Sequence, residues 1–333
     1  MRRSSIALIV IAALTIAVVV LVRANDDTPG LSASPTTMTP ITAAGTTTTT
    51  ATTTTTFPQG IVVPAGSTVC ELYGEVTAEG TIGNPALVEA SGLAVSRTTE
   101  GVLWSHNDSR DGPRLYAFGI DGTDLGIFDL PGSFAFDWED MAAGPDADGE
   151  GSFLYVGDIG DNFDIRDGIV ALHRVEDLDP TSLDGRFPSS EPLAFEYPDG
   201  VHNAEAFFID PIDPAVYIIT KDREEARVYR GALRVGEPRT VLEPVITLRL
   251  GAEVSGADMS PDGSLIAMRG YRTVWMWHRA RGSTVADTLS REPCEAPSPD
   301  ERQGEAITID ADHTYFTVSE GATPVIYAVR IKE

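Results

Sequence analysis

The chain repeats one pattern five times, and this repeat restricts the possible folds more than any other feature. Successive copies begin at residues 91, 139, 205, 255 and 305, so they lie 48, 66, 50 and 50 residues apart. In the second copy, Glu139-Asp140-Met141-Ala142 is followed by a turn at residues 144–149 and by the apolar run Phe153-Leu154-Tyr155-Val156. Each copy also has a third apolar run. Since about four short strands every 50 or so residues are typical of a β-propeller, the sequence predicts an all-β propeller with four-stranded blades.

The number of visible copies predicts five blades. A blade of this kind is apolar on both faces and is stable only when neighbouring blades cover it, so the blades should form a ring. The longest interval, which follows Glu139, contains an insertion at residues 177–190 that is rich in Asp, Pro and Ser. A sixth blade in this interval is the alternative.

The two ends of the domain predict how the ring closes. The last copy has no fourth strand after Val325–Val329, and Glu71–Val76 is a strand-like segment that belongs to no copy. We expect the N-terminal strand to complete the last blade, which would bring Cys70 near the loop that holds Cys294. Because an even pair of cysteines in an exported protein favours a disulfide, we predict a bridge between them; two free thiols are the alternative.

The N-terminal 24 residues predict a membrane anchor or a signal sequence. Residues 6–22 are uncharged and almost wholly apolar, and Arg2 and Arg3 precede them. This charge pattern favours a cytoplasmic N-terminus and an exported remainder. The apolar stretch is at the lower limit for a spanning helix and exceeds the usual core of a signal peptide, so we favour an uncleaved helix. Cleavage after Val22-Arg23-Ala24, which would release a secreted protein, is the alternative.

Residues 25–64 predict a disordered linker between this segment and the propeller. Their composition, dominated by Thr with Pro, Ala and Gly, contains too little apolar surface to form a core. The propeller domain is therefore predicted at residues 65–333. With an uncleaved anchor, the protein is expected in the cell membrane, crossing it once with this domain outside.

The formal net charge of −26 limits the kinds of partner. Nucleic acids require a basic surface, so a nucleic-acid partner is excluded. An acidic chain suits a cationic or metal-bound ligand. We predict a small-molecule or cell-envelope ligand, and a monomeric protein.

The repeat also predicts a site. Residues at the start of each innermost strand should open together onto one face, around the axis; they are Ser91, Glu139, Glu205, Ser255 and Glu305. Clustered carboxylates repel one another, which favours a bound cation, and oxygen-only ligands favour calcium over zinc. We predict a calcium site formed by Glu139, Asp158, Asp161, Glu205 and Glu305. The alternative for any one of these positions is a hydrogen bond to the neighbouring blade.

The loops after the second strands should emerge at the same face and surround a ligand. The predicted ligand-binding residues are His106, Asn107, Arg166, Lys221, Asp222, Arg269, Tyr271 and Glu320. They combine hydrogen-bonding side chains with three cationic ones.

Short motifs in the repeats resemble those of bacterial exported propellers in the phytase-like, or esterase-like, group. They are Ser91-Gly92-Leu93, Asn203-Ala204-Glu205-Ala206, Gln303-Gly304-Glu305-Ala306 and Ser319-Glu320-Gly321. In the calcium-dependent phytases of this group, acidic residues at the channel mouth hold calcium, and Lys and Arg bind phosphate. The resemblance implies the first role for the five predicted metal ligands and the second for Lys221, Arg269 and Arg166.

Two functions follow. No Gly-x-Ser-x-Gly, His-Glu-x-x-His or phosphate-binding glycine loop is present. We favour a propeller that binds a ligand, with calcium, at an acidic central funnel, because no nucleophile–base pair is recognisable. The alternative is a calcium-dependent, phytase-like hydrolase of a phosphoester, with Glu205 or Glu305 as the catalytic base.

Overall fold

The computed structural model describes residues 60–108 and 111–332. The predicted membrane segment and most of the predicted linker lie outside these residues, so the domain boundaries stay predictions. None of the helices in the described part is long and apolar enough to span a membrane.

Five sheets form the blades of a propeller, and in each the four main strands are antiparallel and the first three run outward from the axis in chain order. The first strand of the chain is β1 (Tyr73–Thr81). Blade 1 comprises β2 (Ala90–Val95), β3 (Val102–Asn107), β4 (Arg114–Gly119) and β5 (Asp124–Asp129). Blade 2 comprises β6 (Trp138–Gly144), β7 (Phe153–Asp158), β8 (Ile169–Glu176) and β9 (Glu191–Glu196). Blade 3 comprises β10 (Ala204–Asp210), β11 (Ala215–Thr220), β12 (Ala226–Ala232) and β14 (Glu243–Leu248).

The remaining two blades complete the ring. Blade 4 comprises β15 (Gly256–Met259), β16 (Leu265–Arg269), β17 (Val274–His278) and β18 (Cys294–Ala296). Blade 5 comprises β19 (Gly304–Ile309), β20 (Tyr315–Ser319), β21 (Val325–Ile331) and β1. A two-residue strand, β13 (Thr240–Val241), adds to the outer edge of blade 2 in parallel with β9. The predicted five-bladed, four-stranded propeller is confirmed.

The inner strands are buried on both faces, as expected where blades cover one another. Every residue of β2, β6, β10, β15 and β19 is buried. The long second interval holds no sixth blade. Residues 177–190 form instead the connection between β8 and β9, with a short 3-10 helix at Pro180–Ser182.

The N-terminal strand closes the ring as predicted. Strand β1 pairs antiparallel with β21, with Val76 opposite Val329. It begins two residues later than expected, because Val69–Leu72 forms a 3-10 turn before it. That turn carries Cys70 to the edge of blade 4, where it forms the predicted disulfide with Cys294 across a Cα–Cα distance of 6.0 Å.

Helix is scarce among the described residues. The α-helix α1 (Val285–Leu289) lies in the connection between β17 and β18. Its first turn has a capping box, in which the Thr284 hydroxyl accepts from the Asp287 amide and the Asp287 carboxylate accepts from the Thr284 amide.

A buried carboxylate ties three blades together near the axis. Asp140, on β6, accepts hydrogen bonds at Oδ2 from the amides of Phe207 in β10, at 3.0 Å, and Ala257 in β15, at 3.1 Å. Its Oδ1 accepts from the amide of Met141 at 2.8 Å. Because Asp140 directly follows Glu139 in the chain, these hydrogen bonds fix the backbone next to the site described below.

A second buried carboxylate, that of Asp258, joins β15 to β19 and, through Thr308, to β2. Asp258, on β15, accepts at Oδ2 from the Thr308 hydroxyl at 2.9 Å and from the Ile309 amide at 2.8 Å, both on β19. The Thr308 hydroxyl accepts in turn from the amide of Val95 in β2, at 3.1 Å. These two ties span three of the five junctions between neighbouring inner strands, namely β6–β10, β15–β19 and β19–β2, and Asp140 also links β6 to the non-adjacent β15.

Candidate functional site

The five equivalent inner-strand positions fall into two chemical groups at the mouth, the end of the propeller where the inner strands begin. Ser91 donates to the carbonyl of Glu139, and Ser255 donates to the carbonyl of Gly304 at 2.8 Å. The serines therefore fasten neighbouring blades, as the alternative interpretation proposed. Glu139, Glu205 and Glu305 differ, since burial and the charge of Glu205 together raise the pKa of both Glu139 and Glu305.

Glu139 belongs to a compact acidic cluster with Asp108 and Asp137. One carboxylate oxygen from each residue lies within 4.8 Å of the other two. Asp108 directly follows β3, and Asp137 directly precedes β6, so the ends of two neighbouring blades supply the cluster. Its three oxygen donors are the chemistry that a hard divalent cation prefers.

Two oxygens of this cluster are enclosed by protein without a hydrogen-bond donor. Oε1 of Glu139 and Oδ1 of Asp108 have no partner among the residues that the structure describes, and Glu139 is only 4% exposed. An enclosed carboxylate oxygen without a donor is unfavourable by roughly 1–3 kcal/mol or more. The arrangement therefore calls for a proton or a cation.

Gly160, in the loop after β7, leaves room for this cluster. A Cβ atom at this position would overlap Glu139 Oε1 and lie 2.5 Å from Asp137 Oδ2. The loop thus covers the carboxylates as closely as backbone can. Only glycine permits this approach.

Burial and like charge act together on these acids. Burial, reinforced by Glu205 and Asp108, raises the pKa of Glu139 well above its usual value. Burial, reinforced by Asp137 and Glu320, raises the pKa of Asp108 to about 7. Strongly perturbed carboxylates in a cluster are typical of functional sites.

Beside the cluster lies one charge pair of opposite sign. Lys221 Nζ bonds Glu205 Oε1 and lies 5.9 Å from the ring centre of Tyr271. Burial alone would lower the pKa of Lys221, but the Glu205 carboxylate outweighs burial and raises it. Lys221 is therefore a permanent cation at the mouth, and it is half-buried.

Glu305 is a second neighbour of Glu205 and does not belong to the acidic cluster. Burial, reinforced by the charge of Glu205, raises the pKa of Glu305 to about 8. Nearby, Gln303 donates to Glu320 Oε2 at 2.7 Å. Glu305 is thus a proton carrier near neutral pH, which is the property that a general acid or base requires.

Two predicted metal ligands, Asp158 and Asp161, are bonded to residues of nearby loops and do not belong to the acidic cluster. Asp158 binds Arg166 and accepts from the Asp137 amide at 3.0 Å. Asp161 accepts from the amides of Ile165 and Arg166 at 2.8 and 3.0 Å. Both carboxylates are used in shaping the β7–β8 loop, and neither belongs to the acidic cluster.

Sequence reasoning left Asp108 and Asp137 out of the metal site. Asp137 could have been found, because it precedes Glu139 by two residues and the period of a strand places both on one face. Asp108 follows the end of a second strand, where the loops were already expected to reach the mouth. The choice between these aspartates and Asp158 or Asp161 depends on loop hydrogen bonds, which no sequence period reveals.

Three predicted ligand-binding residues have structural partners. His106 is buried 5.5 Å from the ring of Trp138, and burial lowers its pKa to about 4. Asn107 accepts from the amides of Val88 and Glu89, both at 2.9 Å. Asp222 accepts from two backbone amides in an exposed turn.

The two predicted arginines are also committed to carboxylates. Arg269 is fully buried and ion-paired with Glu301, beneath Gly304, where any side chain would collide with the guanidinium. Arg166 is paired with Asp158. Of the predicted ligand-binding set, the structure brings Lys221, Tyr271 and Glu320 together around Glu205 and Glu305.

Comparisons with known proteins give structural likeness only. No protein-family model matches the chain, and no curated protein matches it. The PQQ-bound aldose sugar dehydrogenase of Streptomyces coelicolor is 14% identical, with a TM-score of 0.42, over 78% of this chain and 98% of that one. A gluconolactonase of Xanthomonas campestris is 11% identical, with a TM-score of 0.44, over 81% of this chain and 99% of that one. A streptogramin B lyase is 12% identical, with a TM-score of 0.38, over 73% and 65%. Membership of the phytase-like group stays a prediction.

Proposed function

We propose that this propeller binds a divalent cation of the calcium type among Asp108, Asp137 and Glu139, and uses it to hold a small-molecule ligand. The observation that carries the proposal is the pair of enclosed oxygens, Asp108 Oδ1 and Glu139 Oε1, which have no donor in the described part of the chain. A cation bound there would meet one carboxylate oxygen from each of the three residues.

The donor set favours calcium over transition metals. All three side chains offer carboxylate oxygen, and no histidine or cysteine belongs to the cluster. Calcium accepts six to eight oxygen ligands in irregular geometry, so three carboxylates leave coordination positions for water or a ligand. Zinc prefers nitrogen and sulfur in a tetrahedral arrangement.

The Lys221 ammonium group at the mouth favours a ligand that carries oxygen atoms or negative charge. It is the cation nearest to Glu205, and the Tyr271 ring lies beside it. A bound divalent cation would offset two of the three carboxylate charges of the cluster, and the mouth would then offer the cation and the Lys221 ammonium to one ligand. The ligand would then replace water on the cation and bond Lys221.

A metal-dependent hydrolase is the second candidate, and Glu305 favours it. A carboxylic acid with a pKa of about 8 at the mouth can donate or accept a proton near neutral pH. A phosphoester substrate is less well supported, because Arg166 and Arg269 are already paired with carboxylates.

We further propose that the domain works outside the cytoplasm. The Cys70–Cys294 disulfide supports this, because such bonds persist in oxidising compartments. Attachment to the membrane through the N-terminal segment, and a monomeric state, stay predictions.

Calorimetric titration with calcium chloride, after treatment with chelator, tests the binding proposal. We expect one saturable site in the wild-type protein and none in Glu139→Gln, which keeps the side-chain volume and removes the charge. Glu224→Gln, an exposed change in the β11–β12 loop, is the matched control and should bind normally. Equal calcium binding in wild type and Glu139→Gln would overturn the proposal.

A substrate panel separates the two candidates. Hydrolysis of esters, lactones or 4-nitrophenyl phosphate that needs calcium and is lost in Glu305→Gln would establish the hydrolase. Saturable calcium binding without turnover on the panel would favour the binding protein.

A further inference from the structure

The two loops that border the acidic cluster carry exposed apolar side chains. In the β5–β6 loop, Phe134 is 68% exposed and Phe136 is 47% exposed. In the β7–β8 loop, Phe163 is 82% exposed and Ile165 is 59% exposed. Of these four, Phe134, Phe136 and Phe163 are all of the exposed phenylalanines among residues 60–108 and 111–332. We call these four residues the apolar rim; grouped exposed apolar side chains of this kind mark binding surfaces.

Hydrogen bonds and ion pairs hold the apolar rim in place. The Asp161 carboxylate accepts from the amides of Ile165 and Arg166, which fixes the turn that presents Phe163. The Arg166 guanidinium lies over the Phe136 ring, 4.5 Å from its centre, and Nη1 donates to the Asp158 carbonyl at 3.0 Å. The Phe136 ring is therefore held against Arg166, so a ligand would meet it with little loss of side-chain freedom.

The β7–β8 loop also has an unfavourable backbone. Asp164 and Asp167 have φ angles of 53° and 52°, in the left-handed region that residues other than glycine rarely adopt. Strain of this kind is typically found where a loop is shaped for binding. Phe163 and Ile165, which flank Asp164, are the exposed apolar residues of this loop.

The apolar rim is continuous with the acidic cluster. Phe136 directly precedes Asp137 in the chain, and Asn162, next to Phe163, donates to Asp137 Oδ2 at 3.4 Å. Gly160, in the same loop as Phe163, contacts the cluster carboxylates. A ligand that meets a cation in the cluster therefore has an apolar surface immediately beside it.

We propose that the ligand of this site is an amphipathic carboxylate, with its head group at the cation and an apolar chain or ring over Phe136 and Phe163. This proposal rests on the proposed function, because a carboxylate head group can be held among Asp108, Asp137 and Glu139 only by coordinating a bound cation. The size of the rim selects a small molecule, since a stable protein partner covers roughly 20–30 residues on each side and this rim offers four.

Titration with a series of linear carboxylates tests the proposal. Acetate, propanoate, butanoate and hexanoate share one head group and differ only in the apolar chain. With calcium present, we expect affinity to rise about three- to fourfold for each methylene that covers the rim, the ratio that burial of a methylene group provides. Phe163→Ser and Ile165→Ser should flatten this rise.

Val241→Ser provides the matched control. Val241 is 59% exposed, the same as Ile165, but lies on β13 at the outer edge of blade 2. This variant should keep the full dependence on chain length. All three substitutions change exposed side chains, and circular dichroism would confirm that each protein is folded.

The outcomes separate the inference from the proposed function. Calcium binding with equal affinity for all four carboxylates would overturn the apolar-chain proposal and leave the cation site standing. Absence of calcium binding would instead overturn the cation site, and with it the anionic head group. A rise with chain length that persists in Phe163→Ser and Ile165→Ser would also overturn the proposal.

Discussion

Gly160 decides how closely the protein can enclose the carboxylates of the cluster. In Gly160→Ala, the new methyl group would collide with the ends of the Glu139 and Asp137 side chains, which can rotate away without unfolding the domain. We expect the variant to fold normally and to bind calcium at least about tenfold more weakly, since displaced ligands lose more than roughly 1.4 kcal/mol. Calorimetric titration measures this.

Gly74→Ala is the control for this substitution. A Cβ atom at Gly74 would lie 3.4 Å from the nearest atom, the carbonyl oxygen of Arg330, which is an ordinary contact. Calcium affinity should not change. An unchanged affinity in Gly160→Ala would show that the cation does not bind among these carboxylates.

Glu305 should make stability depend on pH in the absence of calcium. Its pKa is raised to about 8 in the folded protein, so the folded state binds a proton that the unfolded state releases at lower pH. Its contribution to stability is therefore complete below its unfolded pKa and is lost as pH rises toward 8. Glu305→Gln cannot lose a proton. We expect it to match wild type near about pH 5 and to exceed it by about 2–4 kcal/mol near about pH 8.5, in chelator.

Urea unfolding at the two pH values measures this difference. The comparison between variant and wild type removes the contribution of groups that both proteins share. One such group is Asp262, whose pKa is lowered by hydrogen bonds from His313 and from nearby serine hydroxyls. Its contribution to stability is lost as pH falls, whereas that of Glu305 is lost as pH rises. A constant difference between the two proteins at both pH values would contradict the raised pKa of Glu305.

Among the elements, the inner strands depend on Asp140 as much as on apolar packing. Its two oxygens accept from three backbone amides in three blades, and the amide group of an asparagine can accept at only one of its two ends. Asp140→Asn should therefore leave at least one enclosed N–H unbonded and destabilise the domain by about 2–4 kcal/mol. Thermal or urea unfolding measures the loss.

Asp148→Asn is the comparison for this prediction. Asp148 is exposed in the β6–β7 turn, where it accepts from the Glu150 amide, and asparagine suits such a turn. Its effect should be below about 0.5 kcal/mol. Equal stability of the two variants would mean that the Asp140 tie contributes little.

The sequence predicted the elements better than it predicted the directions of side chains. A repeat specifies where inner strands begin, so Glu139, Glu205 and Glu305 were placed at the mouth by symmetry alone. Arg269 shows the limit, because its position at the end of β16 also suggested the mouth, and only the space left by Gly304 across a blade boundary explains its burial. Such contacts join residues far apart in the chain and leave no local pattern.

For the molecule as a whole, closure of the ring is the step on which the blades depend. Residues from opposite ends of the chain share blade 5, where β1 pairs with β21. The Cys70–Cys294 bond, which joins residues 224 positions apart, fastens the N-terminal turn to blade 4. The strand pairing to blade 5 and the disulfide to blade 4 thus hold the N-terminal segment in two independent ways.

Because two interactions hold the N-terminal segment, we expect loss of the disulfide alone to destabilise the domain less than deletion of the whole segment. Cys70→Ser combined with Cys294→Ser should leave a folded propeller, since the β1–β21 pairing remains. The variant should be less stable by about 2–5 kcal/mol, because the unfolded chain regains the freedom that the long covalent loop removes. For a domain of this size, that loss corresponds to a melting temperature lower by about 5–15 °C.

Deletion of residues 60–81 should instead prevent folding, because β21 would expose an unpaired edge and the apolar faces beside it. Differential scanning calorimetry and circular dichroism measure both effects. If the truncated protein melts as cooperatively as the double serine variant, the ring does not need its N-terminal strand, and its closure must come from the inner-strand ties of Asp140 and Asp258.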